Sequence, residues 1–290
     1  MSASLLALAP AASWAQEPGE GDGEGEAAVS TEGAVSTEGE ATAPVATAEA
    51  TVDLGATPRY PRAVIARPLT LPGGVFMAGD DTASNKDFSV LATGLVAGYG
   101  INDKLEAAAF YAFALKEFEA KGTVDVGVGY AAVRGAMDGK LEAVARAQVG
   151  YDLVGEGMRP LGLGAQVQYN VSDKLCLITP GGQLQVALEE DAAMATPITF
   201  GLPVAAGFQA TPELYLQLDT TLATFNIADS ANAFIGADAT PAKVTAVYNV
   251  VPAVDIAAAI GLDLTPPDPA GVGDTLAFLL GVRYCGGDIK

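Results

Sequence analysis

The sequence predicts an all-β fold, a transmembrane antiparallel up-and-down β-barrel of about 12 strands with a disordered N-terminal arm. The first observation is a recurring sequence pattern, in which an aromatic residue at the end of a strand is followed by a polar turn and then by Leu or Val. It occurs at 99–105, 169–175, 208–214 and 248–254, with a degenerate copy at 136–141. A period of about 35 to 40 residues indicates one structural unit used repeatedly, here a long hairpin.

The second observation is the length of the predicted strands. Most of them have about ten residues or more, which is the length of a tilted membrane crossing and exceeds the usual strand of a soluble sheet. An even count places both chain ends at the short-turn end. The predicted spans are 74–82, 88–99, 104–115, 122–134, 140–152, 160–170, 174–188, 195–208, 213–225, 240–249, 253–264 and 274–284.

The third observation is alternation. Neighbouring side chains on a strand point to opposite faces. At 140–152, Leu, Ala and Val alternate with Glu142, Arg146 and Gln148. A soluble sandwich also alternates, but the second face here is too polar for a sandwich core and suits a watered lumen. Aromatic residues at strand ends on the apolar face form a predicted interfacial girdle: Tyr99, Tyr151, Tyr169, Phe208, Tyr248 and Tyr284.

Composition excludes several classes of function. Half of the residues are hydrophobic and the mean hydropathy is +0.30, yet no apolar run is long enough and regular enough for a helical span. The formal charge of −20 gives no basic footprint for nucleic acid. The chain has no histidine, which removes Ser-His hydrolysis and His-ligated metals. We therefore expect no enzyme, no cofactor, no metal and no nucleic-acid partner.

The chain divides into five parts. Residues 1–15 resemble the end of a secretory signal peptide, with small residues at Ser13 and Ala15 before an acidic segment. Residues 16–57 are acidic and of low complexity, and we expect them to be disordered. A Pro/Arg-rich lead-in follows at 58–73, then the barrel at 74–284 and a C-terminal tail at 285–290.

The last predicted strand carries a family resemblance. Leu276, Phe278, Leu280, Val282 and Tyr284 alternate toward a final aromatic. This segment resembles the C-terminal recognition strand of Gram-negative outer-membrane β-barrels of the porin-like kind. The tail after Tyr284 departs from that pattern. The resemblance implies a bacterial outer membrane, contact with its lipid, both termini in the periplasm, and recognition of residues 276–284 by the barrel-assembly machinery.

Parity also selects candidate lumen residues. The inward-facing charges are Glu106, Asp125, Glu142, Asp219, Asp255 and Asp263, against Arg146, Lys243 and Arg283. Acidic side chains in a narrow passage raise the local cation concentration. This favours a narrow, cation-preferring channel for passive diffusion of small polar solutes or ions. The alternative is a non-conducting structural barrel whose lumen is filled by mutually neutralising side chains.

The lead-in supplies a candidate plug. Arg59, Arg62 and Arg67 precede the first strand, and Glu106, Glu142 and Asp255 face inward near the same end. We expect the arm to fold into the lumen and pair with these acids. The alternative is a solvated periplasmic linker.

Two strands contain residues that disturb regular pairing. Pro203 lacks a donor in mid-strand, so we expect a bulge or an end to pairing there. Face parity shifts across Gly181 and Gly182, which also predicts a bulge.

Overall fold

The structure is a computed structural model that describes residues 60–115, 122–181, 183–188, 198–227, 240–266 and 271–287. The predicted signal peptide, the predicted disordered segment and Arg59 lie outside the described residues. So do residues 288–290 of the tail. Among the described residues, no helix has both the length and the apolar character needed to cross a membrane.

The described residues form one closed antiparallel sheet of fourteen strand segments. Each of the pairs β6–β7 and β8–β9 belongs to one crossing, so these segments make a barrel of twelve crossings, which confirms the predicted fold. The segments are β1 Phe76–Asn85, β2 Leu91–Asn102, β3 Leu105–Ala114, β4 Gly122–Gly135, β5 Leu141–Asp152, β6 Gly157–Met158, β7 Leu161–Asn170, β8 Leu175–Thr179, β9 Leu184–Val186, β10 Ile198–Gln209, β11 Leu214–Asn226, β12 Pro241–Val251, β13 Val254–Asp263 and β14 Ala277–Gly286.

Among the described residues, short helical pieces occur in the lead-in at Val64–Ala66 and in two connections between strands, at Ala136–Gly139 and Val272–Thr275. The second is a tight turn, because Met137 and Asp138 have positive φ.

Pairing of the first strand with the last closes the barrel. Their register runs from Phe76 opposite Gly286 to Asn85 opposite Ala277. The last strand therefore extends two residues beyond the predicted end at 284, because β1 offers backbone partners to Cys285 and Gly286. The first strand begins at Phe76 rather than at 74, since the N–H of Val75 turns back to the carbonyl of Pro72.

The two faces of the wall have opposite chemistry. Outward side chains are apolar and exposed, among them Leu95, Val126 and Leu280. Inward side chains are polar and buried, among them Glu106 and Gln166. A water-soluble barrel would show the reverse arrangement, so this distribution is typical of a barrel whose outer wall faces an apolar medium.

The irregularity predicted at Pro203 is a bulge. The bulge predicted across Gly181 and Gly182 is instead a break in the strand, and Gly182 itself lies outside the described residues. The β10–β11 register shifts between Gly201 and Pro203, which confirms the expected bulge. The predicted strand 174–188 is interrupted between Thr179 and Leu184. At the break, the Gln183 side chain accepts a hydrogen bond from the N–H of Ala165 (2.8 Å) and donates to its carbonyl, in place of a backbone ladder.

Candidate functional site: the barrel interior

Glycines on the inner wall make room for large side chains. A Cβ at Gly129 would lie 2.8 Å from Oε1 of Glu106 and 3.1 Å from Nη1 of Arg146. A Cβ at Gly150 would overlap Oδ1 of Asp125. These charged side chains therefore lie flat over the glycines instead of projecting toward the barrel axis.

The inward charges are arranged mainly as ion pairs. Glu106 lies 2.7 Å from Arg146, and both side chains are buried. The other pairs join neighbouring strands, or the wall to a loop or lead-in: Asp81 with Arg283, Asp125 with Arg159 (2.7 Å), Asp219 with Lys243 (4.0 Å) and Asp255 with Arg67 (2.6 Å). Each pair cancels most of its own field in the interior.

Two partners in these pairs were missed by the sequence reasoning. Asp80 and Asp81 are adjacent, and parity cannot tell which one faces inward until the register of β1 is known. Arg159 follows β6 and reaches back to Asp125, a contact that strand parity cannot reveal. The sequence does carry a signal for Asp81. Asp80 and Asp81 are adjacent acids on one strand, so one of the two must face inward.

Two predicted lumen acids form no ion pair with any residue in the described ranges. Oε2 of Glu142 accepts a hydrogen bond from the N–H of Leu69 at 3.0 Å. Oδ1 of Asp263 accepts from the N–H groups of Thr240 (2.7 Å) and Thr265 (3.0 Å). These two carboxylates are the acids of the described interior without a cationic partner. One cation, Arg134, also lacks an ion pair in the described ranges, and its Nη2 donates to Oγ1 of Thr70 in the lead-in at 2.6 Å. The described residues hold no group of three or more acidic or thiol side chains suited to a metal ion.

The lead-in crosses the interior at the short-turn end of the barrel. We call residues 60–75 the strap. Arg67 is its central anchor, since its guanidinium donates to both oxygens of Asp255, at 2.6 and 3.0 Å. The same guanidinium donates to the strap's own carbonyls at Pro61 and Arg62 and lies over the Tyr60 ring at 5.2 Å. Arg67 therefore fixes both the strap's fold and its attachment to the wall.

Backbone groups of the strap are also bonded to inward side chains around the ring. These bonds give partners to backbone that would otherwise be unpaired in the interior. Three backbone N–H groups donate: Ile65 to Gln209 (3.1 Å), Leu69 to Glu142 (3.0 Å) and Leu71 to Glu106 (2.7 Å). Two backbone carbonyls accept: Ile65 from Gln168 (3.2 Å) and Leu69 from Arg146 (2.8 Å).

Strap residues form part of every apolar cluster found among the described residues. Tyr60, Leu71 and Val75 pack with Cys285. Val64 and Ile65 pack in the cluster that holds Cys176, and Leu69 packs with Ala131 and Val144. Removing the strap would therefore expose each of these clusters to the lumen.

Arg62, the other described plug candidate, lies nearer the solvent. Its Nε donates to Oδ1 of Asn249 at 2.8 Å, and its Nη1 lies 3.5 Å from Glu213. Its side chain is 41% exposed, so this ion pair contributes little to stability.

The girdle candidates divide between the two rims. Tyr151 lies near the end of β5 at the long-loop rim. The other five lie at the short-turn rim, and all but the half-buried Tyr169 are exposed: Tyr99, Tyr169, Phe208, Tyr248 and Tyr284.

At the long-loop end, an ion pair links two connections across the β1–β14 seam. Lys86 donates to Oδ1 of Asp274, and the N–H of Gly271 donates to its other oxygen at 2.8 Å. The hydrogen bond from Lys86 lowers the pKa of Asp274, with the Gly271 bond as a smaller cause. Both side chains are largely exposed, so the pair orders the rim without adding much stability.

The chain is similar in structure to solved porins. A NanC porin superposes with a TM-score of 0.52 at 12% identity, over 71% of this chain and 98% of that chain. A KdgM porin gives 0.49 at 9% identity, over 72% and 98%. The outer membrane protein Omp33 of Acinetobacter baumannii gives 0.40 at 11% identity, over 73% and 97%.

The first of these matches supports the barrel fold, and at such low identity the likeness is one of fold alone. No protein-family model matches the chain, and no curated protein sequence matches it significantly.

Proposed function

We propose that the protein is an outer-membrane channel for the passive diffusion of small polar solutes or ions. The observation that carries this proposal is the inversion of the wall, which is apolar outside and polar and charged inside. The inner glycines support it further, because they let charged side chains lie against the wall and leave the axis free. In this proposal both termini lie in the periplasm, since the described residues begin and end at the short-turn end.

The proposed channel is narrow because the strap occupies its periplasmic end. The strap's Arg67–Asp255 pair and its backbone bonds to Glu106 and Glu142 hold it across the lumen. Arg62 and Arg67 act together in this proposal as anchors of a partial plug. Arg59 was part of the sequence-based hypothesis and lies outside the described residues.

The proposed ion preference is for cations, and it is weak. Five carboxylates of the described interior are matched by cations, so their fields largely cancel. The carboxylates without cationic partners are Glu142 and Asp263, near opposite ends of the barrel, and Arg134 offsets one of these charges at the strap end. The remaining negative charge in a low-dielectric passage raises the local concentration of cations.

A second candidate is a non-conducting structural barrel. It is favoured by the strap's apolar contacts, because burial of each large aliphatic side chain contributes about 1.5–3 kcal/mol and opposes displacement of the strap. It is also favoured by the one-to-one pairing of most interior charges. The two candidates differ in one measurable property, which is conductance.

The decisive experiment is single-channel conductance of the purified protein in planar bilayers. The full chain should conduct weakly, and a variant that lacks residues 16–70 should conduct more. A matched control lacks residues 16–57 and keeps the strap, so its conductance should equal that of the full chain. Absence of conductance in all three folded proteins would reject the channel and leave the structural barrel.

The proposed surroundings follow from the same features. The outer wall contacts outer-membrane lipid, with the aromatic rims at the interfaces. Residues 276–284, which lie in β14 from Ala277 onward, are presented to the barrel-assembly machinery. Phe278→Ala combined with Tyr284→Ala should lower the amount of folded, heat-modifiable protein in the outer membrane, whereas Tyr99→Ala with Phe208→Ala should lower it less.

A further inference from the structure

One charged side chain faces outward in the middle of the wall. Asp80 on β1 is paired with Leu95 on one side and Val282 on the other, and both of these are outward and exposed. Directly paired residues share a face. All other charged residues in the described strands point inward or lie at strand ends. An ionisable residue in this position is a functional-site candidate by default.

Asp80 lies well inside the apolar band. The lower rim is marked by Phe76 and Tyr284, whose rings are 5.6 Å apart, and the upper rim by Phe88 and Phe278. Asp80 is four positions after Phe76, so the carboxylate lies about 10 Å above the lower rim on a strand tilted by about 40°. Lipid headgroups remain at the interface and do not reach this depth.

No hydrogen bond or ion pair joins the Asp80 side chain to any residue of the described ranges. The neighbouring residues on this face are the half-buried Thr82 and the buried Thr93, which hydrogen-bond to each other at 3.0 Å. When the Thr93 hydroxyl donates in this bond, the hydrogen of the Thr82 hydroxyl remains free. The patch therefore presents an acceptor that needs donors and, beside it, a Thr82 hydroxyl that can donate.

Several small residues lie on the wall beside this patch. Ala97, Ala107, Ala109 and Ala147 line an outer hollow of about 600 Å³, together with the larger Tyr99, Val126, Val128, Val149 and Leu161. The far side of the barrel, on β8, β11 and β12, carries bulky side chains such as Leu177, Leu218, Leu222 and Val244, all exposed. Small residues let two backbones approach closely in a membrane, whereas bulky aliphatic side chains suit lipid.

We infer that the outer face of β1–β3, centred on Asp80, is an interface with a second copy of this chain. The patch is self-complementary, because each copy supplies the carboxylate and the Thr82 hydroxyl that the other needs, as an isologous contact requires. This contact would remove the Asp80 carboxylate from lipid. The inference rests on the proposed membrane location and is independent of conduction.

Cross-linking in native membranes tests it. In a variant with Cys176→Ala and Cys285→Ala, Ala97→Cys places a thiol beside the patch, and Ala206→Cys on β10 places one on the opposite wall. Both alanines face outward and are exposed. A short bis-maleimide should join two copies through residue 97 and leave residue 206 single. Equal cross-linking at the two positions would overturn the inference.

Variants of Asp80 provide the second arm. Asp80→Asn keeps the shape and Asp80→Leu suits lipid, so each should remain a folded, heat-modifiable barrel in the membrane fraction. Both should weaken self-association about tenfold, the effect of losing one charge-assisted hydrogen bond. Thr220→Leu, an outward change on the bulky wall, should have no effect. The inference would be overturned if the wild-type protein had the mass of one copy in detergent and residue 97 formed no cross-link in membranes. Asp80 would then face lipid. Failure of the proposed membrane location would appear separately, as protein absent from the membrane fraction.

Discussion

Arg67 and Asp255 are 188 positions apart in the chain and form a buried two-bond ion pair inside the barrel. Asn249 donates a further hydrogen bond to Asp255 at 2.8 Å. The pair links the segment before the first strand to the next-to-last strand. It therefore joins the strap to the wall as one folded unit.

Replacing one partner of this ion pair should lower the unfolding free energy more than replacing both partners. Arg67→Leu leaves a buried carboxylate uncompensated, and we expect a loss of about 3–5 kcal/mol of unfolding free energy. Arg67→Leu with Asp255→Leu should recover most of that loss. Urea unfolding, followed by heat-modifiable mobility, measures both. Arg62→Gln is the control, because its pair is partly exposed and should change stability by less than about 1 kcal/mol. Equal losses in the single and double variants would contradict this role for the pair.

The two native cysteines report on the strap. Cys176 is covered by Val64 and Ile65, and Cys285 lies beside Tyr60 and Leu71. Maleimide labelling of the native protein should be slow. Deletion of residues 60–70 should make both thiols react at least about tenfold faster, because local opening is no longer required. Deletion of 16–57 is the control and should change nothing. Fast labelling of the intact chain would show that the strap does not cover these thiols.

The glycine wall can be tested with a matched pair of substitutions. Gly129→Ala places a Cβ within 2.8 Å of Glu106 and should force the Glu106–Arg146 pair away from the wall. In Gly261→Ala the nearest atom is 3.7 Å away, so the change should be tolerated. In a strap-deleted channel, Gly129→Ala should lower single-channel conductance and Gly261→Ala should not. Equal conductance of the two variants would show that the glycine at 129 does not keep the axis clear.

Ion preference should follow the carboxylates that lack cationic partners. Glu142→Gln with Asp263→Asn removes these two carboxylates, and Glu106→Gln with Asp125→Asn leaves Arg146 and Arg159 unopposed. Both double variants should shift the reversal potential in a salt gradient away from cations, the second one further. Glu213→Gln at the rim should have little effect, because solvent screens it. Unchanged potentials in both double variants would reject the interior carboxylates as the cause of selectivity.

The rim pair predicts a pH effect. The pKa of Asp274 is lowered by Lys86, so the pair is complete above the ordinary Asp pKa of about 3.9 and is lost as the pH falls through the lower folded value. Carboxyl titration by NMR should show the pKa rising toward its ordinary value in Lys86→Ala. The rise should be incomplete, because the Gly271 bond remains. An unchanged pKa would mean that Lys86 does not contact Asp274 in solution.

The barrel could be predicted from sequence because both of its signals are local. The recurring turn pattern predicts the hairpins. Once a strand is recognised, the alternation of its side chains assigns Glu106 and Asp125 to the inner face. The ion pairs could not be predicted, since Arg159 and Asp81 reach their partners only through strand register and loop geometry. The strap's anchors at Leu69 and Leu71 involve backbone N–H groups, which every residue except proline carries, so the sequence does not mark them. Asp80 was ambiguous for the same reason as Asp81.

The inverted wall is best tested with tryptophan and brominated lipid. Trp14, the only tryptophan in the chain, is first replaced by Phe. Leu280→Trp then places a probe on the outward face of β14, and Leu279→Trp places one on the inward face of the same strand. Brominated acyl chains should quench the fluorescence at 280 strongly and the fluorescence at 279 weakly. Equal quenching at the two positions would contradict a barrel whose outer face meets hydrocarbon and whose inner face encloses water.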